Sequence, residues 1–204
     1  DSTISVKDGK VDALNNGTVE GVCVRALVKG SWGFSSTTSL LEKDLVKSLR
    51  DATSLAKTSK KQKKRVVKLA DVKPASDKYV TPMKQDPQKA DREELIGLVL
   101  DTDKIVRGFS KAIASDSVAL TVVDDDLSFV GSEGARITQR LVRCFGSVWA
   151  VARQKGNVVS TYESIGAQSG LEVLKATPLD TCGKKAAERA NALVSAPMAP
   201  GGVF

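Results

Sequence analysis

Apolar and polar residues alternate along much of this chain, and helical spacing interrupts that alternation in three places. Residues Thr3 to Ala13 alternate on either side of Asp8-Gly9, a dipeptide suited to a two-residue hairpin turn. Asn15, Asn16 and Gly17 then punctuate the route into a second hairpin. Val22, Val24, Ala26 and Val28 alternate with Cys23, Arg25, Leu27 and Lys29, and Gly30 offers a positive φ for the turn. On the returning strand Trp32, Phe34 and Ser36 share one side, with Gly33 and Ser35 on the other. The aromatic side is expected to be buried against the helix that follows.

That helix is predicted to begin at Ser39, with Glu42 completing a capping box and Leu41, Leu45, Leu49, Ala52 and Ala56 forming its apolar stripe. Asp91 with Glu94 caps a second helix, whose buried face is Leu95, Leu98, Thr102, Ile105 and Val106. Ser117 to Gly166 reads as a meander. SVALTVV forms a strand, Asp124 to Asp126 a turn and LSFV its return; strands at Arg136–Phe145 and Ser147–Arg153 follow, with a turn at Gly156-Asn157. A third helix spans Asp180 to Val194, with Ala186, Ala187, Ala190, Leu193 and Val194 inward. The prediction is an α+β fold: an antiparallel sheet of hairpins and meander packed on about three helices, the connections being too short for crossovers. Residues 1–194 are expected to form one domain, with a basic, proline-containing connector at 57–87 inside it and an extended tail at 195–204.

Composition narrows the chemistry. The 204 residues are 41% hydrophobic and 27% charged, which suits a folded core. There is no histidine, so Ser-His and Cys-His pairs and His-based zinc sites are excluded. The three cysteines, Cys23, Cys144 and Cys182, form no Cys-x-x-Cys pair and read as buried free thiols in a reducing cytoplasm. Asp124, Asp125 and Asp126 lack the spacing of a calcium loop and read as a solvated turn. No apolar run is long enough for a bilayer. The start has neither a signal peptide nor an initiating Met, which suggests that residues preceding it have been removed.

Much of the net charge of +7 sits between Lys57 and Lys68. Lys60, Lys61, Lys63, Lys64 and Arg65 read either as a solvated helix end or as a possible anion-binding patch. Without interleaved aromatics or a helix shaped for a groove, any nucleic-acid binding should be weak, salt-sensitive and blind to sequence.

Several motifs carry a family resemblance. Gly21, Val22, Arg25, Leu27, Gly30, Trp32, Gly33, Phe34, Ser36 and Thr37 match a "GV-x-VR-x-L-x-x-G-x-WGF-x-ST" run. Ser132, Glu133 and Gly134 are similar to an "F-x-S-T-E-G" run, with Gly131 directly before the Ser and no Thr. The glycine-rich segment ending in Gly170 and Glu172, an Ala-rich helix and an "AP-x-x-x-G" exit follow in order. Together they resemble the amino-terminal domain of the TldD/PmbA family, once called modulators of DNA gyrase and now grouped as zinc metallopeptidases. The connector also resembles that family's linker between its first two helices.

The resemblance implies a non-catalytic domain supplying substrate channel and dimer contacts, as a homodimer or with a paralogue, to a parent that hydrolyses peptides. It implies zinc in that parent, on a His-Glu-x-x-x-His-type helix that this chain lacks, so no catalytic or metal-binding residue is assigned here. An extended peptide added to an open sheet edge is the expected mode of contact, with Arg25 and Glu133 as the polar residues of interest; an ordinary surface salt bridge or turn role is the other reading of both. The rival functions are a basic module contacting nucleic acid or a protein partner such as a topoisomerase, and half of an inactive paralogue.

Overall fold

The computed structural model describes residues 1–59, 66–176, 178–197 and 201. They form two compact units: Thr18–Lys73, and Asp1–Gly17 together with Pro74–Phe204.

The smaller unit is a hairpin and one helix. Strands β3 (Val22–Val28) and β4 (Ser31–Thr37) pair antiparallel about a Lys29-Gly30 turn, both residues at positive φ (49° and 77°). Helix α1 (Glu42–Ser59) covers one face. It starts at Glu42 rather than Ser39, because Ser39 stays outside the helix: its hydroxyl accepts from the Leu41 N–H (3.4 Å) and donates to Asp44 (2.6 Å). The buried positions of α1 are Ser48, Ala52 and Ala56, whereas Leu41 and Leu49 are exposed. Of the predicted stripe, Ala52 and Ala56 face the hairpin and Leu45 is half-buried, while Leu41 and Leu49 lie outside the packed face.

The larger unit is built on one sheet. Its strands are β1 (Ser2–Lys7), β2 (Lys10–Asn16), β5 (Ser76–Val80), β6 (Ile113–Val130), β7 (Arg136–Gln154) and β8 (Asn157–Ala167). The order is β2-β1-β6-β7-β5, and β8 pairs with β7 along the stretch that β5 leaves free. Asp8 and Gly9, at φ 50° and 80°, make the predicted first turn. The predicted hairpins and meander pair antiparallel, as expected; strand β5, within the stretch read as a connector, is added parallel to β7, and the chain between them contains a helix and a strand, ample for a crossover.

Asp124, Asp125 and Asp126 are not a turn. They lie inside the 18-residue β6, because Asp124 and Asp125 meet Arg140 and Arg143 on β7. The chain reverses instead at Gly131–Gly134. Strand β7 is likewise continuous through Gly146, where a Cβ would stand 2.7 Å from Leu179 Cδ1.

Helices α2 (Arg92–Gly108) and α4 (Leu179–Ser195), with the short α3 (Val173–Ala176), cover one face of this sheet. Asp91 caps α2 by accepting from the Glu93 N–H at 2.8 Å. The core joins Val99 and Val106 of α2, Ala186, Ala187 and Ala190 of α4, and Val118, Leu120, Val142 and Val148 of the sheet. Leu193 turns out to be exposed, since Val194 takes the inward position at the end of α4. Asp103, a carboxylate on the buried face of α2, was not anticipated.

Candidate functional site

Strand alternation decides what the large sheet presents on its other face. On β7 the even positions Val142, Cys144, Val148, Ala150 and Ala152 are buried, which leaves Phe145 and Trp149 outward at 43% and 49% exposure. Register places Thr121 and Gly166 on either side of Phe145, Ala119 and Ser164 beside Ser147, and Ser117 and Tyr162 beside Trp149. A row of small residues, Ser5, Ala119, Ser147 and Ser164, thus crosses four strands between two bulkier rows.

The bulky rows are firmly built. Trp149 and Tyr162 pack with ring centroids 4.8 Å apart. The Phe145 ring lies across Gly166, where a Cβ would come within 2.3 Å of Cδ1, so glycine is what lets the ring lie flat. Between them is an open hollow of about 460 Å³, lined by the Phe145 and Tyr162 rings, Thr121, Ser147, Ser164, Ile165 and two glycines, Gly146 and Gly166. Aromatic walls and a polar, uncharged floor suit an apolar side chain on a hydrogen-bonding backbone. The sequence assigned none of these a role; Phe145 and Ser147 served only as expected strand ends. The signal available was that aromatics occupy the solvent-facing phase of a strand.

In the smaller unit the outward face carries Cys23, Arg25, Phe34 and Ser36. The Arg25 guanidinium lies over Trp32 and Phe34, 4.8 and 5.7 Å from the ring centroids, and the two rings stand 6.2 Å apart. Phe34 is 54% exposed and Trp32 half-buried, so the expected burial of both against α1 is corrected. Gly33 faces the helix instead: a Cβ there would lie 2.0 Å from the Ala52 carbonyl oxygen. Gly21 and Gly30 serve close approaches of backbone, Gly30 also accepting from the Val67 N–H at 3.0 Å.

The remaining motif residues separate into two roles. Ser132, Glu133 and Gly134 are exposed in the β6–β7 turn, with Gly134 at φ 102°. Gly170 and Glu172 form a clamp on the segment after β5. Glu172 accepts from the N–H groups of Lys84 (3.1 Å) and Gln85 (3.0 Å) and from the Ser169 hydroxyl (2.8 Å), while Leu171 N–H donates to the Gln85 carbonyl (2.9 Å). Burial opposes ionisation of Glu172, yet these donors and its own N–H outweigh it and hold the carboxyl down at about 2. A Cβ on Gly170 would stand 2.1 Å from the Gln85 oxygen.

Arg140, unnoticed in the sequence, bridges Asp86 and Asp124, each at 2.8 Å. Its hydrogen bonds lower the Asp86 carboxyl below the ordinary range. No motif flagged it, since the three partners are far apart in the chain.

Lys60, Lys61, Lys63, Lys64 and Arg65 lie outside the described residues. The donor set does not fit a zinc centre: the chain has no His, and among the described residues no group of three Cys, Asp or Glu is placed to hold a metal ion. Burial pushes the Cys144 thiol up to about 11 and raises that of Cys182, which makes both poor nucleophiles; Cys23 is exposed, against expectation. Among the described residues no helix is long and apolar enough to cross a membrane.

Comparison with known proteins matches this architecture. Residues 1–56 fit the PmbA/TldA metallopeptidase domain 1 and residues 85–194 the PmbA/TldA metallopeptidase central domain. A metalloprotease of Methanocaldococcus jannaschii is 32% identical over 203 residues, covering 100% of this chain and 44% of that protein. The chain thus spans less than half the length of this relative. A Bacteroides thetaiotaomicron protein named as a modulator of DNA gyrase has the same fold, with a TM-score of 0.73 at 18% identity over 93% of this chain and 43% of that one. A similarly named protein of Thermotoga maritima gives 0.71 at 16% identity over 98% and 44%. By these matches and by the order of its motifs, the chain belongs to the PmbA/TldD metallopeptidase family.

Proposed function

We propose that this chain is the amino-terminal, non-catalytic part of a cytoplasmic zinc metallopeptidase that hydrolyses peptides, and that it supplies substrate-channel and dimer contacts. The supporting observation is the trough on the open sheet face, where Phe145, Trp149 and Tyr162 flank Ser147 and Ser164. An extended peptide crossing it would rest one apolar side chain between the rings while the hydroxyls met its backbone. Metal and general base would come from the remaining part of the parent. Dimer contacts, with a second copy or a paralogue, would draw on Leu127, Phe129 and Val130, exposed at the far end of β6. The chain's share of catalysis is therefore binding and orientation, with no bond made or broken by its own residues.

The test uses the full-length parent. Trp149→Ala combined with Tyr162→Ala should raise KM for an apolar peptide about tenfold or more, with kcat little changed, because contacts made equally in ground and transition state act on KM. Unaltered KM for both apolar and charged peptides would refute the trough as a substrate contact.

A further inference from the structure

One corner of the larger unit gathers three carboxyls around one guanidinium. Asp103 of α2 has its side chain 1% exposed. It accepts from the Gly9 N–H at 2.8 Å through one oxygen, and from Arg107 Nε and Nη2 at 2.9 and 2.7 Å through the other. Asp8, in the β1–β2 turn, accepts from the Asp116 N–H at 2.9 Å, and its own N–H donates to the Asp116 carbonyl at 3.3 Å. The turn is thus tied by its Asp to β6 and by its Gly to α2.

The side chain of Asp116 is different. It is 0% exposed, and neither oxygen has a hydrogen-bond partner among the described donors. Arg107 Nε stands 4.0 Å from it, an ion-pair distance but not a hydrogen bond, and that nitrogen already serves Asp103. Two buried carboxylates cannot both be ionised beside a single half-shared cation without a large desolvation cost. The Asp103 carboxylate shares Arg107 Nε with Asp116, at 2.9 Å against 4.0 Å, and a carboxyl can bond to a carboxylate only by carrying a proton. We propose that Asp116 is held as the neutral acid, donating a hydrogen bond to ionised Asp103, and that this proton latches the Asp8-Gly9 turn onto α2.

Burial, reinforced by the charge and hydrogen bond of Asp103, lifts the Asp116 carboxyl to about 7, consistent with that assignment. The other charged groups facing it do not cancel the effect. Arg107 is committed to Asp103, and Asp8 has its carboxyl lowered by the backbone N–H of Asp116, so it titrates below the relevant window. Lys7 adds a positive charge beside Asp8.

The sign of the consequence is unusual for a carboxyl. A proton bound more tightly in the latched state than in the open one stabilises the latch fully below the ordinary carboxylate range. That contribution is lost as pH rises to about 7 and is constant above it. This corner therefore tightens toward mild acid, where paired carboxylates elsewhere weaken.

The experiment is native-state hydrogen exchange of the Gly9 N–H in the full 204-residue chain, corrected for intrinsic exchange, alongside a carbon-13 carboxyl titration of Asp116. Protection of Gly9 should fall by about tenfold per pH unit between pH ~5 and ~6.5, the limit for one linked proton, and level off above pH ~7. Asp116→Asn, which keeps a donor toward Asp103, should make the profile flat. The titration of the unaltered protein needs no variant to fold. An Asp116 carboxyl that titrates near 4, or Gly9 protection that does not fall over this range, would overturn the proposal.

Discussion

The two units bury their sheets by opposite rules. In the larger one the apolar phase of each strand faces the helices, and Val118, Leu120, Val142 and Val148 fill the space beneath α2 and α4. In the smaller one the helix-facing positions of β4 are Ser31 and Gly33, and those of α1 are Ser48, Ala52 and Ala56. The small unit packs backbone against backbone. Its aromatics are displaced to the outer face, where Arg25 covers them. Hydrophobicity thus decides the packed face only where there is depth for a side chain, and size decides it where elements approach closely.

The largest effect that could break this contrast is at Gly33. Gly33→Ala should cost about 3 kcal/mol, the upper end for overpacking, because the new Cβ meets the Ala52 oxygen and Ala56 nitrogen of α1 rather than a movable side chain. Chemical denaturation would measure it. A loss below about 1 kcal/mol would mean that α1 can withdraw and that the close approach is not what defines this unit.

The larger unit has its own close approach at Gly170, but there a charge holds the chain in place. Glu172→Gln should destabilise by about 2 kcal/mol, since hydrogen bonds to an ionised group lose strength when the charge is removed. The pH dependence follows from the depressed carboxyl. Its stabilisation is complete above the ordinary Glu value of 4.5 and is lost as pH falls through about 2. Exchange of the Lys84 and Gln85 amides should speed up over that range in the unaltered protein and show no such step in Glu172→Gln.

The smallest effect sharpens the contrast most. Phe34→Ala should cost about 1 kcal/mol or less, the worth of an exposed cation–π contact, because the ring is 54% exposed. A core phenylalanine would cost about 3–5 kcal/mol. A measured value in that higher range would return Phe34 to the interior and remove the difference between the two units.

Local signals made much of this legible in the sequence. The Asp8-Gly9 and Gly30 turns, the Asp91 cap and the inward alanines of α4 follow from turn chemistry, capping and periodicity, all of which act within a few residues. The order of the glycine motifs was enough to indicate the family. The failures were equally specific. Asp124 to Asp126 looked like a turn because aspartate is a turn residue, and Arg140 and Arg143 on β7 overrode that preference by pairing with them. Leu41 and Leu49 looked buried because leucine usually is, yet α1 turns its smallest side chains to the hairpin.

By itself, the sequence determined most of the strands and the three long helices, though it left β5 in a connector and divided β6 and β7, and it determined that no histidine-based chemistry belongs to this chain. Tertiary structure decided which face of α1 and of β4 is covered, that Phe145 and Tyr162 border an open trough, and that Asp103 and Asp116 are closed away together. The physical reason is range. Turn and helix preferences are settled by neighbours along the chain, whereas burial of an aromatic ring or a carboxyl depends on what another segment, a hundred residues or so away, brings against it.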